Sequence, residues 1–228
     1  MYKDMAKKNQ AQQVNEIDQT VAVSRDFVEK HQKGILWGGG CLVVLVIAVL
    51  LLHQFYFAPR EEKAAEAISV AESLFRAGEW DKALNGDGEN AGFLEIIDSY
   101  GSTKSGNLAQ LYAGLCYAQK GDAQTAIGYL EDFDACDDEM VSPAALGALG
   151  NCYAETGDNL KGAKTLEKAA KKADNNSLSP TFLIQAGELY EAQGKPEKAL
   201  ECYNEIKTKY VNSMAYQEID KYIERVSK

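Results

Sequence analysis

The side chains on which chemistry could be built are few in this chain: two histidines, five cysteines and a surplus of carboxylates. His31 precedes one long apolar run and His53 lies at its far edge, so neither can join a Ser-His-Asp relay or an HExxH zinc site elsewhere. No GxxxxGKS phosphate loop occurs. Cys41, Cys116, Cys136, Cys152 and Cys202 make no CxxC pair, and an odd count is a poor disulfide framework. Cys116 and Cys152 each stand one residue before a tyrosine in a recurring phrase, the setting of a small buried thiol. The acidic run EDFDACDDE, 131–139, could attract cations or a basic partner, although such runs are usually solvated helix ends. GDGEN, 86–90, lacks the spaced acids and closing glutamate of a calcium loop and reads as a flexible loop. The expectation is a protein without catalytic residues, metal or cofactor, and not an enzyme.

Charge narrows the partners. Of the formal charge of -10, residues 1–33 contribute six Lys or Arg against five Asp or Glu, leaving 18 against 29 for the rest. A body at -11 repels phosphates and offers no basic stripe, so nucleic acid is not an expected partner.

The elements that would position any site are declared by repetition. YAQKGDAQTAI begins at Tyr117, YAETGDNLKGA at Tyr153 and YEAQGKPEKAL at Tyr190, while LFRAGEWDKAL from Leu74 puts leucine in the tyrosine's place. The glycines at 78, 121, 157 and 194 are separated by 43, 36 and 37 residues, a period typical of stacked helix pairs, and nothing reads as a series of strands. In EEKAAEAISVAESLFRAG the apolar residues recur at three and four, marking an amphipathic helix. Leu146, Leu149, Gly150 and Tyr153 resemble the first helix of the 34-residue tetratricopeptide pattern, with leucine replacing its opening tryptophan. Gly114 with Tyr117, and Gly187 with Tyr190, match it in part, and a small residue precedes a large one by four in Ala126–Leu130, Gly162–Leu166 and Ala199–Tyr203.

Small residues let paired helices close tightly, so Gly114 should face Ala126 and Gly187 should face Ala199, with the tyrosine plugging the adjoining gap. The turn glycine can adopt the left-handed conformation, and the aspartate after it, Asp122 or Asp158, can cap the second helix. Two departures are expected to be local. NGDGENAG, 85–92, delays or breaks the first unit's second helix, and Asp137-Asp138 and Asp174-Asn175-Asn176 supply turn residues where the pattern has proline. SMAYQEIDKYIERVSK, with Ile219, Tyr222, Ile223 and Val226 on one face, should cap the end of the stack.

From Gly34 to Leu52 no residue is charged and twelve of 19 are Ile, Leu or Val. At about 1.5 Å per residue the run covers close to the ~30 Å hydrocarbon core of a bilayer. A long polar arm and the lack of a small-x-small cleavage site argue against a signal peptide, so the segment reads as a retained single-span anchor. Arg25, Lys30 and Lys33 before it against Arg60 and Lys63 after it favour a cytoplasmic N-terminus. Gly34 and Gly38 form a GxxxG pair through which a partner helix could approach.

The layout expected is therefore an all-α chain. Residues 1–33 form a polar arm with a weak amphipathic helix, 34–58 a transmembrane helix ending before Pro59, and 59–228 a right-handed solenoid of about four hairpins with a C-terminal capping helix. The tetratricopeptide resemblance implies a groove lined by first helices that takes an extended or helical peptide, with Arg76, Tyr112, Gln119, Asn151, Glu155, Gln185, Glu188 and Glu191 pointing into it. The inner positions hold Leu111, Gly147 and Ile184 rather than lysines, so a basic clamp for a partner's terminal carboxylate is not expected. With IDQTVAVSRDFVEKHQK before the span, the chain resembles the YfgM-type ancillary subunits of the Sec translocon. That resemblance implies a bacterial inner-membrane adaptor whose periplasmic repeats join translocon subunits, periplasmic chaperones or secretory clients. The alternative is a structural scaffold or an outer-membrane assembly factor with similar repeats.

Overall fold

A computed structural model describes residues 33, 34, 37 and 41–227, and all its regular structure is helical, with no strand among the described residues. The polar arm and its expected amphipathic helix lie outside them. The chain divides into two compact units, Met1–Ala58 and Pro59–Lys228.

In the first unit, residues 41–52 are α-helical and His53–Phe57 form a π-helical turn. Leu42, Val44, Leu45, Leu50 and Phe55 are all exposed. The helix Cys41–Arg76 is the one among the described residues that is long and apolar enough to cross a membrane, judged by length and composition. Pro59 does not break the backbone as expected. Ala58 N–H reaches back five residues to His53 O, and this wide turn directly precedes the residue that has no N–H to donate, so helix continues on both sides.

The second unit is a stack of helix pairs: α1 (Ala58–Arg76) with α2 (Trp80–Asn85) and α3 (Phe93–Tyr100), α4 (Lys104–Gln119) with α5 (Ala123–Asp132), α6 (Val141–Glu155) with α7 (Asn159–Ala173), and α8 (Ser179–Ala192) with α9 (Pro196–Lys209). A short helix, α10 (Ile219–Val226), closes the end. The recurring tyrosine and glycine explain each turn. Gly121 has φ +79, its N–H bonds to Ala118 O, and Asp122 N–H bonds to Tyr117 O. The same two bonds recur around Gly157 and Gly194, so the tyrosine supplies the carbonyl that the left-handed glycine lets the chain fold back to reach. Asp122 then accepts from Thr125 N at 3.1 Å and Asp158 from Lys161 N at 3.0 Å, capping α5 and α7 as expected.

The tight approach within each pair is real, but its partner is the large residue rather than the small one. A Cβ on Gly114 would lie 2.6 Å from Leu130 Cγ and one on Gly150 2.8 Å from Leu166 Cγ. On Gly187 it would strike the Tyr203 ring at 2.4 Å, so Ala199 is not its nearest neighbour. Ala126 and Gly162 meet their partners through backbone oxygens, at 3.3 Å from the Gly114 Cβ position and 3.1 Å from that of Gly150. Leu166, Tyr203 and Ile206 are fully buried in the stack, each stabilising it by roughly 1.5–3 kcal/mol. The pattern tyrosines also reach across to the preceding pair. Tyr153 OH donates to Glu131, and Tyr190 OH donates to Glu167 at 2.7 Å.

Polar ties fasten the helix ends and connecting loops, both within a pair and between successive pairs. Glu61 accepts from Lys104 N and Ser105 N at 2.7 and 3.0 Å, holding α1 to the start of α4. Asn107 and Asp134 exchange two bonds, Asn175 Nδ2 donates to Glu139 O at 3.1 Å, and Tyr210 OH donates to Asp174 at 3.2 Å. Asp174 is the one non-glycine residue with positive φ among those described, at +43. The loop at 85–92 does break the second helix, but it is pinned rather than slack. Asp87 accepts from Glu89 N and Asn90 N, and a Cβ on Gly92 would lie 2.3 Å from Leu84 O. The final helix starts later than expected, at Ile219, because Ser213 Oγ bonds Tyr210 O and receives Tyr216 N–H, turning the chain first. Its face is the expected one: Ile219 is buried, and Tyr222, Ile223 and Val226 pack on the core.

Candidate functional site

The buried glycine of each first helix provides a register. Counted from Gly114, Gly150 and Gly187, the residues two before and one, four and five after lie along one stripe of the helix, since steps of three and four keep to one face. On α4 these are Tyr112, Leu115, Ala118 and Gln119; on α6, Ala148, Asn151, Ala154 and Glu155; on α8, Gln185, Glu188, Glu191 and Ala192. None of the twelve is buried, whereas the three glycines, Tyr153 and Tyr190 are. The stripe is therefore a partly open side of each first helix, on which Tyr112, Leu115, Ala118 and Ala148 still pack against the core with one edge. Seven of the eight groove residues named from sequence fall on it. Arg76 is the other, exposed at the end of α1 and paired with Glu72 at 3.6 Å.

Sequence reasoning named only the polar members. Leu115, Ala118, Ala148, Ala154 and Ala192 share the stripe, so the surface is small and apolar with amides and acids set into it. The repeat register alone would have found them. Of the inner positions, Leu111 and Gly147 are buried. A Cβ on Gly147 would lie 2.3 Å from the Phe182 ring of α8, so that position joins two pairs instead of facing a ligand.

The named residues differ in how free they are. Tyr112 stacks on Phe93 with ring centroids 5.1 Å apart and meets Phe75 edge-on at 5.2 Å; burial, with Glu72 nearby, raises its phenol pKa. Glu191 receives Arg225 Nε and Nη2 at 2.9 and 2.6 Å, and also Tyr203 OH. Burial works to raise its pKa, but the bonds from Arg225 and Tyr203 outweigh it and lower the value. Gln185 Oε1 is buried without a hydrogen-bond partner. Gln119, Glu155 and Glu188 are exposed and Asn151 half-buried. Gly34 has open space where a Cβ would stand, and Gly38 lies outside the described residues.

The thiols and acids serve the fold. Burial pushes Cys116 up to about 12, Cys152 to about 11 and Cys202 to about 12, leaving protonated thiols that are poor nucleophiles and poor ligands. The acidic run is divided among local tasks. Glu131 accepts from Tyr153, and Asp138 Oδ1 accepts from Met140 N, Val141 N and Ser142 N at 2.9, 2.6 and 3.1 Å. Among the described residues no group of three His, Cys, Asp or Glu is placed to hold a metal ion. What the stripe offers is shape, amides and charge, the means of binding another protein.

Residues 25–220 match the tetratricopeptide repeat-like domain. The chain belongs to that family. Among solved structures, tetratricopeptide-like repeats of a putative kinesin light chain from Podosopora anserina are similar, at 14% identity and a TM-score of 0.55. The match covers 73% of this chain and 86% of that one. A single-substitution variant of those repeats matches equally, covering 85% of its length. No curated protein matches the chain. Repeats of this family bind protein partners, and their architecture is here reached through residues very different from those of the kinesin light chain.

Proposed function

We propose that the chain is a non-enzymatic adaptor, tethered to a bacterial inner membrane by one helix, that presents the first-helix stripe to protein partners. The carrying observation is that none of the twelve stripe residues on three successive first helices is buried, and that Gln119, Glu155, Glu188 and Ala192 on it are exposed. The tether rests on residues 41–57, whose apolar side chains are exposed. The arm's positive charges favour a cytoplasmic N-terminus and a periplasmic repeat domain. The resemblance of the arm to YfgM-type subunits supports translocon subunits, periplasmic chaperones or secretory clients as the proteins joined.

A photo-crosslinking residue at Asn151 or Glu188, in intact cells, tests this directly. Crosslinks to translocon or envelope chaperone proteins are expected from both, and from neither Lys164 nor Lys168 on α7. Crosslinks to cytosolic proteins alone, or protection of the repeat domain from protease until spheroplasts are lysed, would remove the periplasmic reading.

A further inference from the structure

One residue of the stripe is already occupied. Its twelve positions hold three carboxylates, Glu155, Glu188 and Glu191, and no cation. The guanidinium that reaches them comes from α10: Arg225 donates through Nε and Nη2 to the two oxygens of Glu191, at 2.9 and 2.6 Å. The fully buried Tyr203 adds its OH to the same carboxylate and fixes its orientation. Tyr222, three residues before Arg225 on α10, lies under the guanidinium at 4.9 Å. Glu191 is thus a carboxylate held in place for a planar fork of donors, with an arginine seated on it.

The helix that delivers this arginine is lightly held. Ile219 is its one buried residue, and Tyr222, Ile223 and Val226 pack on the core along one edge. The Arg225 side chain is half exposed, and a second tie, Lys207 to Asp220, lies at the surface, where ion pairs contribute little. Val211, Met214 and Tyr216 of the connecting segment are exposed, Met214 at 90%. Eight residues do not stay helical alone, so α10 owes its shape to these few docking contacts.

We propose that α10 stands in for part of the partner, and that a partner helix of the same pattern displaces it. The pattern is isoleucine, an aromatic and a second isoleucine three and four residues on, and arginine at six, as in Ile219, Tyr222, Ile223 and Arg225. The aromatic takes the place of Tyr222 beside the Tyr203 ring, where the centroids are now 5.3 Å apart, and the arginine that of Arg225. Three acids without a cation suit such a basic helix, and Glu188 lies one turn from Glu191, so a partner on the stripe reaches both. The inference rests on the adaptor reading and adds to it the partner's residue pattern and a competitor built into the chain.

The full chain in detergent micelles is titrated into a fluorescent peptide of residues 215–227, blocked at both ends, and anisotropy is read. A docked cap lowers the apparent affinity by the fraction of chains in which it is open. Ile219→Ala with Arg225→Ala loosens the cap and leaves Glu191 in place, so it should bind the peptide at least about tenfold more tightly than wild type. Adding Glu191→Gln, or placing glutamine for arginine in the peptide, should remove about tenfold. Lys221→Ala, at an exposed position of α10, should change nothing. In cells, Arg225→Ala should raise photo-crosslinking from Glu188 and Lys221→Ala should not; this single change at a half-exposed site keeps the fold and carries the test if the double variant does not. Equal peptide binding by wild type and the loosened chain, or no loss with Glu191→Gln, would overturn the displacement. A wild-type chain that dimerises with rising concentration and sheds the peptide as it does would assign the place to a second copy's α10 and overturn the partner. Unchanged crosslinking from Glu188 in Arg225→Ala sinks the competitor alone, whereas a lack of translocon or chaperone crosslinks from both Asn151 and Glu188 in wild type sinks the adaptor reading.

Discussion

Asp138 stands before α6 with three backbone N–H groups on one carboxylate oxygen, and replacing it by alanine removes the acceptor for all of them. Its pKa lies at about 2, held below the ordinary 3.8 first by the Ser142 hydroxyl, with burial opposing and the N–H groups of Met140, Ser142 and Val141 lowering it further. At about 1.4 kcal/mol per unit that shift sets a ceiling of roughly 2.5 kcal/mol, and the partial exposure of the carboxylate cuts it to about 1–1.5 kcal/mol. Loss of a helix cap gives the same range, about 0.5–2 kcal/mol. For a repeat domain of this size the melting temperature of Asp138→Ala should fall by about 3–5 °C at neutral pH. Asn, which keeps an acceptor, should cost about half as much. Because the folded pKa is depressed, this stability is fully present above the unfolded value near 3.8 and is lost as pH falls through about 2. Urea midpoints of the full chain in micelles, compared with the variants from pH 6 to pH 2, measure it. A gap between wild type and alanine that persists unchanged at pH 2, or asparagine as damaging as alanine at pH 6, would refute the electrostatic account.

Gly114→Ala places a methyl 2.6 Å from Leu130 Cγ and should destabilise by about 1–3 kcal/mol, whereas Gly128→Ala, with nothing within 4 Å and a helical backbone, should stabilise by about 0.5–1 kcal/mol. Denaturant titration reads both. Tyr190→Phe removes the hydroxyl that joins α8 to Glu167 and should cost about 1 kcal/mol in the same assay. At pH 8, Cys136 should react with a thiol reagent while Cys116, Cys152 and Cys202, buried and raised to about 11–12, remain unmodified until the domain unfolds. Mass spectrometry of the modified chain would show it.

The repeat frame was readable because the constraint on each turn is local. A left-handed glycine, the tyrosine carbonyl it returns to and the capping aspartate all fall within a short stretch, so Tyr117, Gly121 and Asp122 announce their geometry in order. What reads poorly is anything decided between pairs. Gly147 carries no local sign that the Phe182 ring will fill its missing side chain, and Glu191 looks like any surface acid until Arg225 arrives from 34 residues away. The same holds for the acidic run, where composition shows a cluster and only the fold separates Asp138 at a helix start from Asp132 at a helix end. Pro59 misled for a different reason. Its effect depends on whether the preceding turn can widen, which the π turn at His53–Phe57 permits.

The tyrosine hydroxyls from Tyr153 and Tyr190 each fasten a hairpin only to the one before it. An array joined this way has no keystone: tension drawn along it is handed from neighbour to neighbour, and it gives like a spring before any single hairpin lets go. Yielding should begin at the tail, where α10 grips through Ile219 as its one buried side chain, and work inward.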